Sequence, residues 1–118
     1  LTTAQGDLHF TVAGSNAIRT QNKVLTVNSW HHVAATYEQG KTYKIYVDGN
    51  EVPIVAAPAL APVASSTVPL TIGASVDAQN KPKESWHGAI DELSIYNRAL
   101  SAGEIWAMYS TQNVGKCT

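Results

Sequence analysis

The residues of this chain best suited to bind a ligand lie in one polar stretch, Ser75 to Ser85, and in the Trp-His pair that follows it. A sugar has an apolar ring face and a polar edge, so proteins bind it with an aromatic side chain beside carboxylates, amides and carbonyls. The candidate ligand-binding residues are Asp77, Asn80, Lys83, Trp86 and His87. The competing interpretation buries Trp86 in the core and leaves the other side chains in a solvated loop.

The four histidines and the lone cysteine show no pattern typical of catalysis or of a zinc site. His31 and His32 are adjacent, and adjacent side chains of a strand point to opposite faces. No further His or Cys stands at zinc-ligand spacing, and no nucleophile stands at a useful distance from a histidine. Cys117 lacks an intrachain disulfide partner, so it is an inert thiol or half of a bridge to another segment.

The composition is that of one globular domain. The chain has 118 residues, of which 44% are hydrophobic and 14% charged, with a formal net charge of −1. This balance excludes a disordered tail and lacks the basic excess of a nucleic-acid-binding protein. No run approaches the ~20 apolar residues of a membrane span.

Short strands separated by turns must position these residues. Alternating or β-branched patterns predict strands at 7–13, 17–20, 23–27, 30–38, 42–47 and 70–74, with an edge strand at 54–56. Asp48-Gly49 predicts a tight hairpin turn of type I′, which needs a positive φ at both residues. The pattern favours an all-β fold, an antiparallel β-sandwich with one short C-terminal helix on its edge.

The closing stretch is predicted to be a central strand followed by that helix. Ile90 to Tyr96 is rich in β-branched, aromatic and aliphatic residues, and Gly88 before it marks a bulge or a close backbone approach. Ser101 and Glu104 form a capping box, after which Ile105, Met108 and Tyr109 recur at helical spacing.

Two stretches resemble the signatures of one family. WHGAIDELSIYNRALSAGEI, from residue 86, and WHHVAATYEQGKTYKIYVDGNEV, from residue 30, are similar to segments of the laminin-G-like, concanavalin A-like jelly-roll domains. Their order and separation also match. The resemblance implies the jelly-roll sandwich, and it implies structural roles for the histidines, one bonded beside its strand and the other in solvent.

The same resemblance implies strands that this sequence lacks. Family members open with several strands that have no counterpart here. We therefore expect residues 1–118 to form a single laminin-G-like domain lacking the family's opening strands. Its sheets would pair with another chain or with missing strands of the parent protein, because unpaired strand edges attract further strands.

The resemblance also indicates what the adjacent carboxylates of Asp91 and Glu92 could do. Glucanases of this fold place Glu-x-Asp-x-x-Glu along one strand, a spacing that is absent here. Asp91 and Glu92 would point to opposite faces of a strand, so we predict no catalytic site. Related sandwiches hold a structural Ca²⁺ through the Asp of the closing strand, which makes Asp91 the candidate metal ligand. Calcium takes six to eight oxygens, so Asp91 would need further ligands.

These observations predict a non-catalytic binding or adhesion module of a secreted or cell-surface protein. The expected partner is a glycan. One alternative is a structural or protein-interaction domain of an extracellular multidomain protein or assembly. A second alternative is an accessory fragment of a glycoside hydrolase. Because one fold carries many functions, the resemblance determines the architecture more firmly than the ligand.

Overall fold

Eight short strands and one helix make up the described part of the chain. The computed structural model describes residues 6–12, 16–38, 41, 43–55, 69–77, 79–83 and 85–111. Cys117 and most of the proline-rich stretch 53–69 lie outside these residues. The elements are β1 (His9–Val12), β2 (Asn16–Thr20), β3 (Val33–Thr36), β4 (Lys44–Val47), β5 (Asn50–Val52), β6 (Ile54–Val55), β7 (Ser75–Val76), β8 (Pro82–Lys83) and α1 (Ala102–Ser110).

The first sheet has the order β1-β2-β6 and is antiparallel throughout. His9 pairs with Arg19, and Phe10 pairs with Ile18. Side chains alternate along each strand, so Leu8, Ile18 and Thr20 are buried while Arg19 is exposed. One face of this sheet is therefore apolar and the other is polar.

The second sheet has the order β3-β4-β5 and contains the predicted hairpin turn. Asp48 has φ 50° and Gly49 has φ 79°, as the tight turn between β4 and β5 requires. Tyr43, Ile45 and Val47 are buried in one cluster with Leu8 and Ile18 of the first sheet. The all-β antiparallel class is confirmed, and the two sheets share one core as the layers of a sandwich do.

Helix α1 begins where the capping box predicts. Ser101 Oγ accepts the backbone N–H of Glu104 at 3.2 Å, and Glu104 Oε2 accepts the backbone N–H of Ser101 at 2.7 Å. The Arg98 guanidinium donates two hydrogen bonds to the same carboxylate, at 3.0 and 2.7 Å. The hydrogen bonds from Arg98 and then from the Ser101 backbone lower the pKa of Glu104 to about 2. Ile105 is the fully buried residue of the helix.

The predicted central strand at Ile90 to Tyr96 is wrong. The segment forms no strand, and the side chains of Ile90, Leu93 and Ile95 are 53%, 60% and 69% exposed. Asp91 Oδ1 accepts the backbone N–H of Glu92 at 2.8 Å, and Glu92 has φ 51°. A local side-chain bond and a left-handed residue thus interrupt the extended backbone, and none of the described strands lies alongside to form a ladder.

Two other predicted strands are also wrong. Residues 70–74 form no strand, because Gly73 has φ 80° and the chain bends before β7 begins at Ser75. Residues 23–27 form a loop in which the N–H groups of Val24 and Leu25 both reach the carbonyl of Gly6, at 2.8 and 3.0 Å. Neither segment forms a ladder: residues 70–74 bend at Gly73, and the N–H groups of Val24 and Leu25 are both taken by one distant carbonyl.

Candidate functional site

The predicted ligand-binding residues follow one small hairpin formed by β7 and β8. Ser75 pairs with Lys83 and Val76 with Pro82. The turn is closed by Asp77, whose Oδ1 accepts the N–H groups of Gln79 and Lys81 at 2.9 Å each. The carboxylate therefore organises the turn, as Asp commonly does by bonding backbone N–H groups ahead of it.

Asn80 and Lys83 present their side chains to solvent from this hairpin. Both residues are exposed, and Asn80 has φ 59°, a left-handed conformation that Asn tolerates better than most residues. The Lys83 carbonyl accepts the hydroxyl of Ser75 at 3.3 Å, which steadies the backbone beneath the lysine. The backbone beneath both side chains is held by the hairpin, and their polar ends make no hydrogen bond or ion pair with another described residue.

Trp86 is neither a buried core residue nor a free platform. It is half-buried, and its backbone N–H donates to the carbonyl of Gly73. A β-carbon on Gly88 would lie 2.9 Å from Trp86 Nε1, so a larger residue at this position would displace the indole. The close approach at Gly88 is made by a side chain, whereas the sequence predicted a bulge or a close backbone approach. Trp86 Nε1 is enclosed and has no hydrogen-bond partner among the described residues.

The five residues are spread along the hairpin instead of meeting at one point. Asp77 and Asn80 lie at its turn, and the Asn80 N–H donates to the Asp77 carbonyl at 3.0 Å. Lys83 lies in the second strand pair from the turn, opposite Ser75. Trp86 pairs with Gly73 beyond the open end, and the exposed His87 follows it. This geometry suits a ligand that extends along the hairpin.

Asp91, the predicted calcium ligand, lies in the segment 90–96, which forms no strand. It is exposed, and its Oδ1 is engaged by the adjacent Glu92 N–H at 2.8 Å. Among the described residues no group of three His, Cys, Asp or Glu side chains is placed to hold a metal ion. One carboxylate does not supply the six to eight oxygens that calcium takes, so no part of the proposed function depends on the ion.

Sequence reasoning missed a polar network around His31. Its Nδ1 lies 2.8 Å from Asp48 Oδ2, while its Nε2 lies 3.1 Å from the backbone N of Thr26 and 2.9 Å from the Thr26 hydroxyl. Because the Thr26 N–H must donate to Nε2, the ring proton belongs on Nδ1 and donates to Asp48. Asp48 also accepts the His32 N–H at 3.0 Å.

Asp48, His31 and the Thr26 hydroxyl stand in the order of the Asp-His-hydroxyl triad of hydrolases. The network lacks the free lone pair on His31 Nε2 that such a triad needs. A general base must take the hydroxyl proton on Nε2, and in this protein the same lone pair receives the Thr26 backbone N–H. The network therefore ties the loop before β3 to the turn between β4 and β5. His31 has the structural role expected of it, whereas His32 is half-buried near the ring of Tyr109, 6.3 Å away, and does not point into solvent.

Comparisons with known proteins agree with this architecture. The Laminin G 3 family, described as the concanavalin A-like lectin/glucanases superfamily, matches residues 1–106. A search of curated proteins found no match. A solved structure of an S-layer domain-containing protein from Clostridium thermocellum has a similar fold, with 22% identity and a TM-score of 0.54. The match covers 92% of this chain and 65% of that chain, just under two thirds of its length.

The described residues include no helix long and apolar enough to cross a membrane.

Proposed function

Because the chain belongs to the concanavalin A-like lectin/glucanases superfamily, we propose that it is a non-catalytic, carbohydrate-binding module of an extracellular or cell-surface protein. Lectins and glucanases, the two classes in the family's name, both bind carbohydrates. The structure with a similar fold comes from a protein with an S-layer domain, which supports a surface location. Residues 1–118 are proposed to act as one such domain.

The observation that carries the proposal is the hairpin of β7 and β8 with Trp86 at its open end. The exposed part of the half-buried Trp86 side chain offers an apolar surface for a sugar ring, and the exposed Asn80, Lys83 and His87 offer donors and acceptors for hydroxyl groups. Since these groups follow one another along the hairpin, an extended oligosaccharide fits them better than a single sugar. The Asp77 turn holds the hairpin in shape before the ligand arrives, which lowers the entropy cost of binding.

A glycan array followed by calorimetry on the best oligosaccharide tests this proposal. Asn80→Gly keeps the left-handed backbone while removing the amide, and Lys83→Gln removes the charge. Each variant should weaken binding about five- to tenfold, the effect of one lost hydrogen bond. Lys44→Gln, which alters an exposed lysine of the second sheet, is the matched control and should bind normally. An array without hits, or equal losses in all three variants, contradicts a glycan site on the hairpin.

The alternative function, a protein-interaction or structural domain, is favoured by a different observation. Exposed apolar side chains lie on two segments, 69–77 and 90–96. The two segments are neighbours, because a β-carbon on Gly73 would lie 3.1 Å from Ile90 Cδ1. Leu70, three residues before Gly73, is 71% exposed, and Leu93, three residues after Ile90, is 60% exposed. Exposed apolar patches mark interaction sites in many proteins. A negative glycan array together with association through this patch would favour the alternative.

A further inference from the structure

The polar face of the first sheet borders a cleft of about 430 Å³ that lies apart from the hairpin. Leu8, Ile18 and Thr20 point into the core, so the residues that alternate with them point outward. His9 and Arg19 are direct partners across β1 and β2 and thus stand side by side on that face. The cleft is lined by Asp7, His9, Arg19, Thr20, Gln21, Asn22 and Lys23. Its volume falls within the 300–1,000 Å³ range of small-ligand sites.

The backbone of this cleft is held at several points. Thr20 is buried, and its hydroxyl accepts the Leu8 N–H and donates to the Asn22 carbonyl, both at 3.0 Å. The Gln21 N–H donates to the Pro53 carbonyl at 2.9 Å, and the Val24 N–H donates to the Gly6 carbonyl at 2.8 Å. The side chains around the cleft therefore extend from a loop that is already ordered, which favours binding.

The charges of the cleft are unbalanced. Arg19 and Lys23 have no ion pair or side-chain hydrogen bond among the described residues, and the one lining carboxylate, Asp7, lies 3.0 Å from His9 Nε2. The larger cleft beside α1, of about 780 Å³, differs in this respect. Its cations are paired with carboxylates: Lys41 with Glu38, Lys44 with Glu51 and Arg98 with Glu104. This cleft therefore carries two cations without an ion pair among the described residues, in a chain whose net charge is −1.

We propose that this cleft binds a small hydroxylated carboxylate, either a uronic acid unit of an acidic glycan or a free sugar acid. The guanidinium of Arg19 offers the forked N–H pair that matches a carboxylate, and Lys23 adds a second positive charge. The amides of Gln21 and Asn22, next to them in the chain, suit the hydroxyl groups of such a ligand. This site is separate from the hairpin, so it adds a ligand class to the proposed function without depending on it.

Calorimetry on the full chain tests the proposal with four probes: glucuronate, an oligouronate, a neutral oligosaccharide of the same length, and acetate. We expect glucuronate and the oligouronate to bind and the neutral sugar and acetate to bind at least tenfold more weakly. Arg19→Gln and Lys23→Gln should each weaken uronate binding about tenfold, as loss of a charge-assisted hydrogen bond does. Tighter binding of the oligouronate than of glucuronate identifies the glycan source, and equal binding identifies the free acid.

Lys81→Gln provides the matched control, because Lys81 is an exposed lysine outside the cleft and loses the same charge. It should leave uronate affinity unchanged. The proposal is overturned if no uronate binds at millimolar concentration, or if Lys81→Gln weakens binding as much as Arg19→Gln does.

The Lys83→Gln variant separates the cleft from the hairpin. If it weakens binding of the neutral glycan but leaves uronate binding unchanged, the two ligands bind at different sites. Unfolding midpoints of all variants should stay near that of the parent chain, since the substituted side chains are exposed.

Discussion

Gly49 lies against Trp106, and this contact joins helix α1 to the second sheet. A β-carbon on Gly49 would lie 2.7 Å from Trp106 Cε3 and 2.9 Å from Tyr109 Cδ1. Real β-carbons essentially never approach other atoms so closely, so the helix packs on this turn only because residue 49 has no side chain. The hairpin turn thus shapes the backbone and also serves as the docking surface of the helix.

Gly49→Val should be strongly destabilising. A β-branched residue at φ 79° is strained, and its side chain would enter the space of two rings. We expect a loss of about 3 kcal/mol or more in the free energy of unfolding, measured by urea denaturation. Gly103→Ala is the control, because a β-carbon at this helical position would lie 4.0 Å from Ser101 Oγ, an ordinary van der Waals distance. That change should be neutral or stabilising by up to ~1 kcal/mol. Equal stability of the two variants would contradict the packing of α1 on the turn.

Ser101→Ala should lower the free energy of unfolding by ~1 kcal/mol, the usual value of an N-cap. The substitution leaves the N–H of Glu104 without its side-chain acceptor. Ser101→Asp retains an acceptor and a favourable charge at the helix N-terminus, so it should restore most of the loss. An unchanged denaturation midpoint for Ser101→Ala would show that the cap does not stabilise the fold.

Stability should fall as acid protonates Glu104. Its pKa is about 2 in the folded chain, below the ordinary value of 4.5, because Arg98 and the Ser101 backbone donate to the carboxylate. A depressed pKa gives stability that is complete above pH 4.5 and is lost as the pH falls toward 2. The effect is small because the group is exposed and screened by solvent. The stability difference between the parent chain and Glu104→Gln should therefore shrink between these pH values. A constant difference would refute the assignment.

Asp48→Asn should destabilise the protein by ~1 kcal/mol or more. The Asp48 carboxylate accepts from His31 Nδ1 at 2.8 Å and from the His32 N–H at 3.0 Å, and an amide serves both donors less well. Asn tolerates the φ of 50° at this position, so the comparison isolates the charge. Asp48→Ala should cost more, since it leaves both donors without an acceptor. NMR of the His31 ring should show that Asp48→Asn weakens the Nδ1 proton's hydrogen bond, and an unaltered resonance would contradict the assigned tautomer.

The exposed apolar side chains of segment 90–96 should make the chain self-associate at micromolar concentration. Leu93 and Ile95 are 60% and 69% exposed, and a net charge of −1 gives little repulsion between copies. We expect a second copy to cover this segment, as observed by sedimentation velocity. Leu93→Glu with Ile95→Lys should shift the chain toward monomer. Val27→Glu, at an apolar residue that is 87% exposed and outside the segment, should not. A parent chain that sediments as a sharp monomer would refute this expectation.

Much of the candidate site depended on contacts that a linear pattern does not contain. The polar stretch before Trp86 was recognisable from residue types, yet the use of Asp77 to close its own turn and the position of Trp86 against Gly88 appeared only in three dimensions. The cleft beside Arg19 was missed, because it combines the consecutive residues 19–23 with Asp7 and His9, and only the register of β1 and β2 sets His9 opposite Arg19. Sequence separation hides such neighbours.

By itself, the sequence determined the features that depend on a few consecutive residues. The turn at Asp48-Gly49 and the capping box at Ser101 follow from local backbone geometry and local hydrogen bonds, and both are present. Tertiary structure alone decided the state of Ile90 to Tyr96. Its composition suits a strand, but a strand exists only when another strand lies beside it, and here the described fold places none there. The physical reason is that a turn or a cap satisfies its own backbone groups, whereas a sheet needs a partner that is distant in the chain.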